Sequence, residues 1–241
     1  MQKSGLSMKN IELPFIKEMF NSIAPRYDLL NRLLSLRQDV YWRRKMIAEI
    51  PTPARGRILD MACGTGDVIL EILKQKGSDV TVIGSDFSPG MLWLAKQKVD
   101  AKAGTKAVSL IAGNALHMPF QPNGFDAITI AFGIRNIADK LTALQAFHAG
   151  LKKGGALAVL ELTTPPKGLF LSLYLFYFKQ ILPLIGWLVS GDTKAYRYLP
   201  DSVLHFPESR VFAGMMRSAG FVDIRWRRLT FGIVTLYLGK K

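Results

Sequence analysis

Residues 57–67, RILDMACGTGD, join an apolar run with strand character from Arg57 to Met61, a turn of small residues, and an acidic residue, Asp67, that opens a helical pattern. A buried strand ending in a glycine turn and passing into a helix is the first unit of an open α/β sheet. Gly64 and Gly66 permit the tight turn and a close approach of the backbone to a ligand at the helix N-terminus. Position 69 is Ile, so the third glycine of the G-x-G-x-x-G fingerprint is missing, and no G-K-[ST] follows. Both absences argue against a cofactor that carries a pyrophosphate.

Working outward, the pattern repeats toward the C-terminus. Further strands are predicted at Val80–Ser85, Val108–Ala112, Phe125–Ala131 and Ala156–Leu162, separated by helices over Asp67–Gln75, Ser88–Val99 and Ala138–Leu151. The last of these helices is expected to stop at Lys152, Lys153, Gly154 and Gly155. Glu208–Ala219 reads as another helix, closed by Gly220. Two final strands, Val222–Arg228 and Gly232–Leu238, are joined by a short connection and should pair antiparallel. The expected fold is α/β: a doubly wound, mostly parallel sheet of about seven strands with one reversed edge.

A chain of 241 residues with 49% hydrophobic and 21% charged composition suits one domain with a sizeable core. Its expected parts are a helical cover over 1–55, a cofactor-binding core over 56–165, an apolar cap over 166–205, and a last helix with edge strands over 206–241. Residues 168–191, GLFLSLYLFYFKQILPLIGWLVSG, are long enough for a membrane span. Lys179 and Gln180 at the centre, followed by Pro183, argue against one. A span would also strand the last two strands on the opposite side of the membrane from their sheet. The stretch is therefore expected to be an inserted cap over the C-terminal edge of the sheet, where ligands of open α/β folds bind, or an ordinary core helix pair.

Met1–Phe20 carries Lys3, Lys9, Glu12, Lys17 and Glu18 among its apolar residues, so it is not expected to be a signal peptide. The single cysteine, Cys63, excludes an internal disulfide, and a reducing cytoplasm is the expected compartment. Within a glycine turn Cys63 reads as packing rather than as a methyl-accepting nucleophile. His117, His148 and His205 are too scattered for a metal site. The net charge of +14, from 32 Lys and Arg against 18 Asp and Glu, lies mostly toward the two ends. It suits approach to nucleic acid or to an anionic membrane leaflet, or serves solubility.

Three stations for a ligand lie along the strand ends. The turn from Asp60 through Gly64, Thr65 and Gly66 comes first. Asp86 ends the second strand, where a carboxylate can take both hydroxyls of a ribose. Gly113, Asn114 and Ala115 end the third, where an amide and backbone groups can read an adenine edge. A nucleoside without phosphates fits this order, and S-adenosyl-L-methionine is that ligand, with its amino-acid moiety at the glycine turn.

The run FNSIAPRYDLLNRLLSLRQDVYWRR, from Phe20 to Arg44, then makes the likeness specific. It resembles the first signature of the C-methyltransferases of menaquinone and ubiquinone biosynthesis, Y-D-x-x-N-x-x-x-S-x-x-x-H-x-x-W. Tyr27, Asp28, Asn31, Ser35 and Trp42 match, while Asp39 stands where that signature has histidine. ILDMACGTGD, GNALHMPF, FDAITIAFGIRN, LKKGGALAVLEL, YRYLPDSVLHFP and GIVTLYLGKK follow in family order.

The resemblance implies a class I S-adenosylmethionine-dependent methyltransferase with cofactor contacts at Thr65, Asp86, Asn114 and Ala115. A serine contact of some members would fall on Ala131 and is absent or replaced by backbone. No catalysis is assigned to Asp39. The implied reaction methylates a ring carbon of a prenylated quinol, giving menaquinol from demethylmenaquinol; a benzoquinol of ubiquinone biosynthesis is the alternative.

Arg135 and Asn136 are placed to face the ring, with Arg135 in an electrostatic and hydrogen-bonding role. Tyr27 and Asp28 either shield the sulfonium and orient the quinol or cap and pack a helix. Cap aromatics, among them Phe170, Tyr174, Phe176, Tyr177, Phe178 and Trp187, would cover the ring and receive the prenyl tail. With the basic ends they imply reversible docking on the inner face of a membrane. An RNA methyltransferase would use those basic ends but would not need so long an apolar cap, and a non-catalytic binding protein would bind cofactor without turnover.

Overall fold

A computed structural model describes residues 26–51, 53–77, 79–103, 108–181 and 193–241. The start of the N-terminal signature, Phe20, and the cap residues Pro183 and Trp187 lie outside the described residues. Two helices, α1 (Tyr27–Leu34) and α2 (Gln38–Glu49), precede the sheet. Then β1 (Arg57–Met61), α3 (Asp67–Lys76), β2 (Thr81–Asp86), α4 (Pro89–Ala103) and β3 (Val108–Ala112) alternate. They are followed by β4 (Phe125–Ala131), α5 (Lys140–Gly150) and β5 (Leu151–Leu162). The cap is α6 (Leu169–Phe176), a π turn at Tyr177–Ile181, and α7 (Thr193–Leu204). The chain closes with α8 (Ser209–Ser218), β6 (Val222–Leu229) and β7 (Val234–Lys240).

The seven strands lie in the order β3-β2-β1-β4-β5-β7-β6. β1 pairs parallel with β2 on one side and β4 on the other, so the direction of winding reverses between β1 and β4. Beyond the C-terminal ends of such a pair a crevice opens in doubly wound folds. The backbone turns sharply there. Ala62 (φ 54°), Gly64 (φ 53°) and Gly66 (φ 83°) after β1, and Phe132 (φ 59°) after β4, occupy the left-handed region. A Cβ on Gly133 would stand 2.7 Å from the Cβ of Ala62, so the two turns touch only because that position is glycine.

Strand alternation sends successive side chains into two separate cores. Leu59, Ile128 and Tyr237 pack with Ala143, Leu144, Phe147, Phe212 and Met216 of α5 and α8. Ile58, Ala127 and Leu236 pack with Ile47, Val68, Ile69 and Val99 of α2, α3 and α4. A third, smaller cluster unites Leu30 of α1 with Tyr174, Phe178 and Val203 of the cap. The N-terminal cover and the cap are thus one layer over the sheet edge.

Two expectations need correction. The α5 helix stops at Gly150, where a Cβ would stand 2.9 Å from Met118 Cε. Leu151–Leu162 is then a single strand, so Lys152–Gly155 is not a helix stop but a bulge within it. Leu151 pairs with Phe125 and Ala156 with Ala127, which leaves that stretch looped out. Gly154 N–H donates to the Lys241 carbonyl at 2.9 Å, so the bulge is held by the chain end. The reversed strand is also not the edge itself. β7 is antiparallel to both β5 and β6, which makes β6 the edge and buries β7 between neighbours. Its apolar stretch from Val234 to Leu238 suits that interior place. Among the described residues no helix is long and apolar enough to cross a membrane.

Candidate active site

The expected cofactor stations come together at the strand ends. Asp86 is buried, and its two carboxylate oxygens accept the backbone N–H groups of Gly64 and Ser88, each at 2.9 Å. Burial raises its pKa, and these N–H donors pull it back. Gly113 N–H donates to the Asp86 carbonyl at 3.0 Å, tying the third station to the second. Asn114 Oδ1 accepts Leu116 N–H at 3.0 Å, so this oxygen shapes its own turn, while Ala115 is buried beside it.

Asp60 sits in β1 between Gly84 and Thr129. Its Oδ1 accepts the Thr129 hydroxyl at 2.7 Å, and its Oδ2 is buried without a partner. Burial raises its pKa to about 7, against the pull of Thr129 and Arg43. Cys63 is buried and its Sγ stands 3.1 Å from where a Cβ on Gly84 would be. Burial pushes its thiol well up, so it holds no thiolate for nucleophilic attack.

Thr65 and Asp28 meet across the two layers. The Thr65 hydroxyl donates to Asp28 Oδ1 at 2.6 Å and accepts from Lys98 Nζ at 2.9 Å. Lys98 also pairs with Asp28 and, at 2.9 Å, with Asp67. Asp67 accepts Arg32 at 2.7 Å, and Arg32 and Arg43 share Asp39. Against its burial, Arg43, Lys98 and Arg32 hold Asp67 down at about 2. Asp39, the departure from the family signature, is therefore a buried acceptor for two arginines and for the Ser35 hydroxyl at 2.9 Å. The network clamps α1 and α2 onto the cofactor turn.

The same α1–α2 layer lines a cavity of about 520 Å³, and Asp39 and Arg43 of this clamp belong to its lining. Leu30, Leu34, Trp42, Phe132, Tyr174, Tyr177 and Ile233 give it apolar walls. Its polar surface includes Arg135, Asn31 and the hydroxyls of Tyr27 and Tyr198. Arg135 follows β4 in a short turn, Ile134–Asn136, and is not on the surface: its side chain is 7% exposed. It donates to Glu161 Oε1 at 2.7 Å and, through its backbone N–H, to Oε2 at 3.1 Å. Burial works against its charge, but Glu161 and the tyrosines outweigh it and raise its pKa, so the guanidinium stays charged. Asn136 Oδ1 accepts the Tyr198 hydroxyl at 3.0 Å. Tyr27 is half-buried, and burial raises its pKa despite the nearby Arg135 and Asn31.

Tyr27 and Arg135 thus line one cavity, with Asn136 behind it through Tyr198, and Asp28 reaches Thr65. Sequence reasoning missed Glu161, which stands as a lone acid in the apolar run of β5, and that isolation was the available signal. Lys98 and Tyr198 gave none, since each reads as an ordinary helix residue. His148 packs edge-on against Phe221 at 5.2 Å and His205 is exposed, so neither enters the site. Among the described residues no cluster of His, Cys, Asp and Glu could hold a metal ion.

The model of the ubiE/COQ5 methyltransferase family matches residues 7–241. A ubiquinone/menaquinone biosynthesis C-methyltransferase UbiE of Geobacter sp. (strain M21) is 48% identical over 94% of this chain and 96% of its own. A demethylmenaquinone methyltransferase of Deinococcus radiodurans is 49% identical over 94% and 92%, respectively. Among solved structures, a SAM-dependent methyltransferase of Thermotoga maritima is similar with a TM-score of 0.67 at 18% identity, over 94% of this chain and 99% of that one. The [4+2]-cyclase SpnF is similar with a TM-score of 0.68 at 15% identity, over 94% of each chain. Such distant likenesses establish the fold. The sequence match goes further: this chain belongs to the ubiE/COQ5 methyltransferase family.

Proposed function

We propose that, as a member of the ubiE/COQ5 methyltransferase family, this protein transfers the methyl group of S-adenosylmethionine to a ring carbon of a prenylated quinol, converting demethylmenaquinol to menaquinol. The observation that carries the reading is the 520 Å³ apolar cavity with a buried, charged Arg135 in its lining, bordered by α1, whose Asp28 accepts from Thr65 of the cofactor turn. The residues present fit the cofactor. The space beside the Gly64 Cα is open, so its turn can be approached closely. Asp86 is a buried acceptor at the ribose station. Asp60, with its unpartnered Oδ2, is a second acid toward a cationic ligand. When bound, the cofactor supplies an electrophilic methyl on a sulfonium.

The chain's own residues do the rest. A ring carbon attacks only when the adjacent hydroxyl loses, or nearly loses, its proton and pushes electron density into the ring. The Arg135 guanidinium steadies the oxyanion that develops there, in a site from which apolar walls exclude water. Glu161 fixes that guanidinium, and the Tyr198–Asn136 hydrogen bond fixes the turn that presents it. Tyr27 closes the cavity from above. As the carbon–carbon bond forms, the carbon–sulfur bond breaks, and loss of the ring proton restores aromaticity. The functional test is the purified protein with S-adenosylmethionine and a panel of prenylated naphthoquinols and benzoquinols, products read by mass spectrometry. Preferred methylation of the naphthoquinol supports the reading, and preferred methylation of the benzoquinol moves the substrate to ubiquinone biosynthesis.

Asp86→Ala removes a carboxylate that would accept the ribose hydroxyls. A charge-assisted hydrogen bond is worth about 1.5–3 kcal/mol, so cofactor affinity should fall roughly ten- to a hundredfold. Calorimetry on the folded variant checks this, and unchanged affinity removes Asp86 from the site.

A prenylated quinol resides in the bilayer, so the protein should dock there reversibly. Leu36 (82% exposed) lines the cavity, and Leu169 (79%), Phe231 (78%) and Phe176 (60%) are exposed on segments that carry its lining residues Phe170, Leu173 and Thr230. Basic residues near an anionic leaflet add about 1 kcal/mol each, screened by salt. Flotation with anionic vesicles should weaken as salt rises, and weaken again in Phe176→Ser or Phe231→Ser. Absence of flotation at low salt refutes the docking.

A further inference from the structure

Two polar atoms in the cavity lining are left without partners. Arg135 Nε and the Tyr174 hydroxyl are both buried and unbonded, although the remaining polar groups around them are paired. Both residues line the same cavity, and Arg135 is near enough for its charge to act on Tyr174. A buried hydroxyl without a partner is costly, and native proteins rarely tolerate one unless a ligand completes it. The rest of Tyr174 is firmly seated: its ring stacks on Phe178 at 4.4 Å and belongs to the cluster joining the cap to α1. The side chain is 5% exposed and holds its hydroxyl in place without any bond to the protein.

We propose that Tyr174 is a substrate-anchoring residue whose hydroxyl hydrogen-bonds the second ring oxygen of the quinol, the one remote from the carbon that receives the methyl. This rests on the quinol reading above. A 1,4-quinol carries two oxygens on opposite sides of its ring, and two residues of the cavity lining carry buried, unsatisfied polar atoms that a side-chain shift would bring to a ligand. Arg135 Nε–H, a fixed cationic donor, suits the oxygen that gains negative charge. Tyr174, a hydroxyl that burial keeps neutral by pushing it above the usual phenol range, suits the oxygen that keeps its proton, since a phenol can donate or accept. With both ends of the ring held, the one unsubstituted carbon of the quinol ring is kept facing the cofactor side.

The test pairs a variant with a truncated substrate. Tyr174→Phe removes only the hydroxyl, and because that group is buried and bonds nothing in the protein, melting temperature should hold or rise. Turnover is measured on a prenylated naphthoquinol and on the corresponding prenylated 1-naphthol, which keeps the activating hydroxyl and lacks the remote one. The wild type should lose about tenfold in kcat/KM on going from diol to naphthol. Tyr174→Phe should lose about the same on the diol and nothing further on the naphthol. An unchanged kcat/KM on the diol, or an equal loss on both substrates, overturns the proposal. No turnover by the wild type on any quinol of the panel removes the quinol reading beneath it, a result separate from the behaviour of the variant.

Discussion

Arg135→Ala is expected to cut turnover at saturating quinol by about 10²–10³-fold, the usual cost of removing one donor to a developing oxyanion. Cofactor affinity should change little, because the Arg135 side chain bonds Glu161 and the Phe132 carbonyl and none of the expected cofactor stations. The structure adds a complication. Glu161 is fully buried, and the truncation strips it of its ion-pair partner. Part of the effect will therefore be lost stability. Arg135→Lys separates the two: a lysine keeps a cation beside Glu161 but loses the planar donor fork. If the oxyanion role holds, the lysine variant recovers most of the melting temperature and little of the turnover. Near-native turnover in a folded lysine or alanine variant would place Arg135 outside the chemistry.

Glu161→Ala should be the most destabilising single change in the site. It leaves a guanidinium in a water-poor cavity with no counterion, and breaking a buried pair from one side costs about 3–5 kcal/mol. For a chain of this size that corresponds to a fall in melting temperature of roughly 6–20 °C. Glu161→Gln should also be harmful, since both carboxylate oxygens accept from Arg135, and an amide would turn an N–H toward one of those donors. Thermal unfolding followed by circular dichroism checks both. A loss smaller than about 1 kcal/mol in the alanine variant would mean that water or another group satisfies Arg135.

The cofactor turn was legible because its information is local. Backbone in the left-handed region at Gly64 and Gly66, a strand of continuous apolar character before them and a helix start after them lie within eleven residues. The strand ends carrying Asp86 and Asn114 follow from the same alternation. What each side chain does there was less legible. Thr65 was read as a cofactor contact, and the structure engages its hydroxyl with Asp28 and Lys98, residues far from it in the chain. The sequence places Arg43 one turn from Asp39 on α2, but Arg32 reaches Asp39 only when α1 packs against α2, and that completes its role.

The order of strands and helices, the parallel core, the antiparallel ending and the apolar character of the cap were determined by the sequence itself, through periodicity and turn chemistry that act over a few residues. The end of α5 was not. Lys152–Gly155 carries helix-stop residues, yet pairing with β4 and the chain end draws it into a strand. Tertiary structure alone decided that Arg135 is buried against Glu161, because the pair joins the turn after β4 to the C-terminal end of β5. It alone decided, too, which side of the cap faces inward. Leu169–Phe176 is apolar all round, so it carries no periodic signal of orientation. Only packing against Leu30 and Val203 turns Tyr174 and Phe178 in toward Arg135 and leaves Leu173 and Phe176 outside.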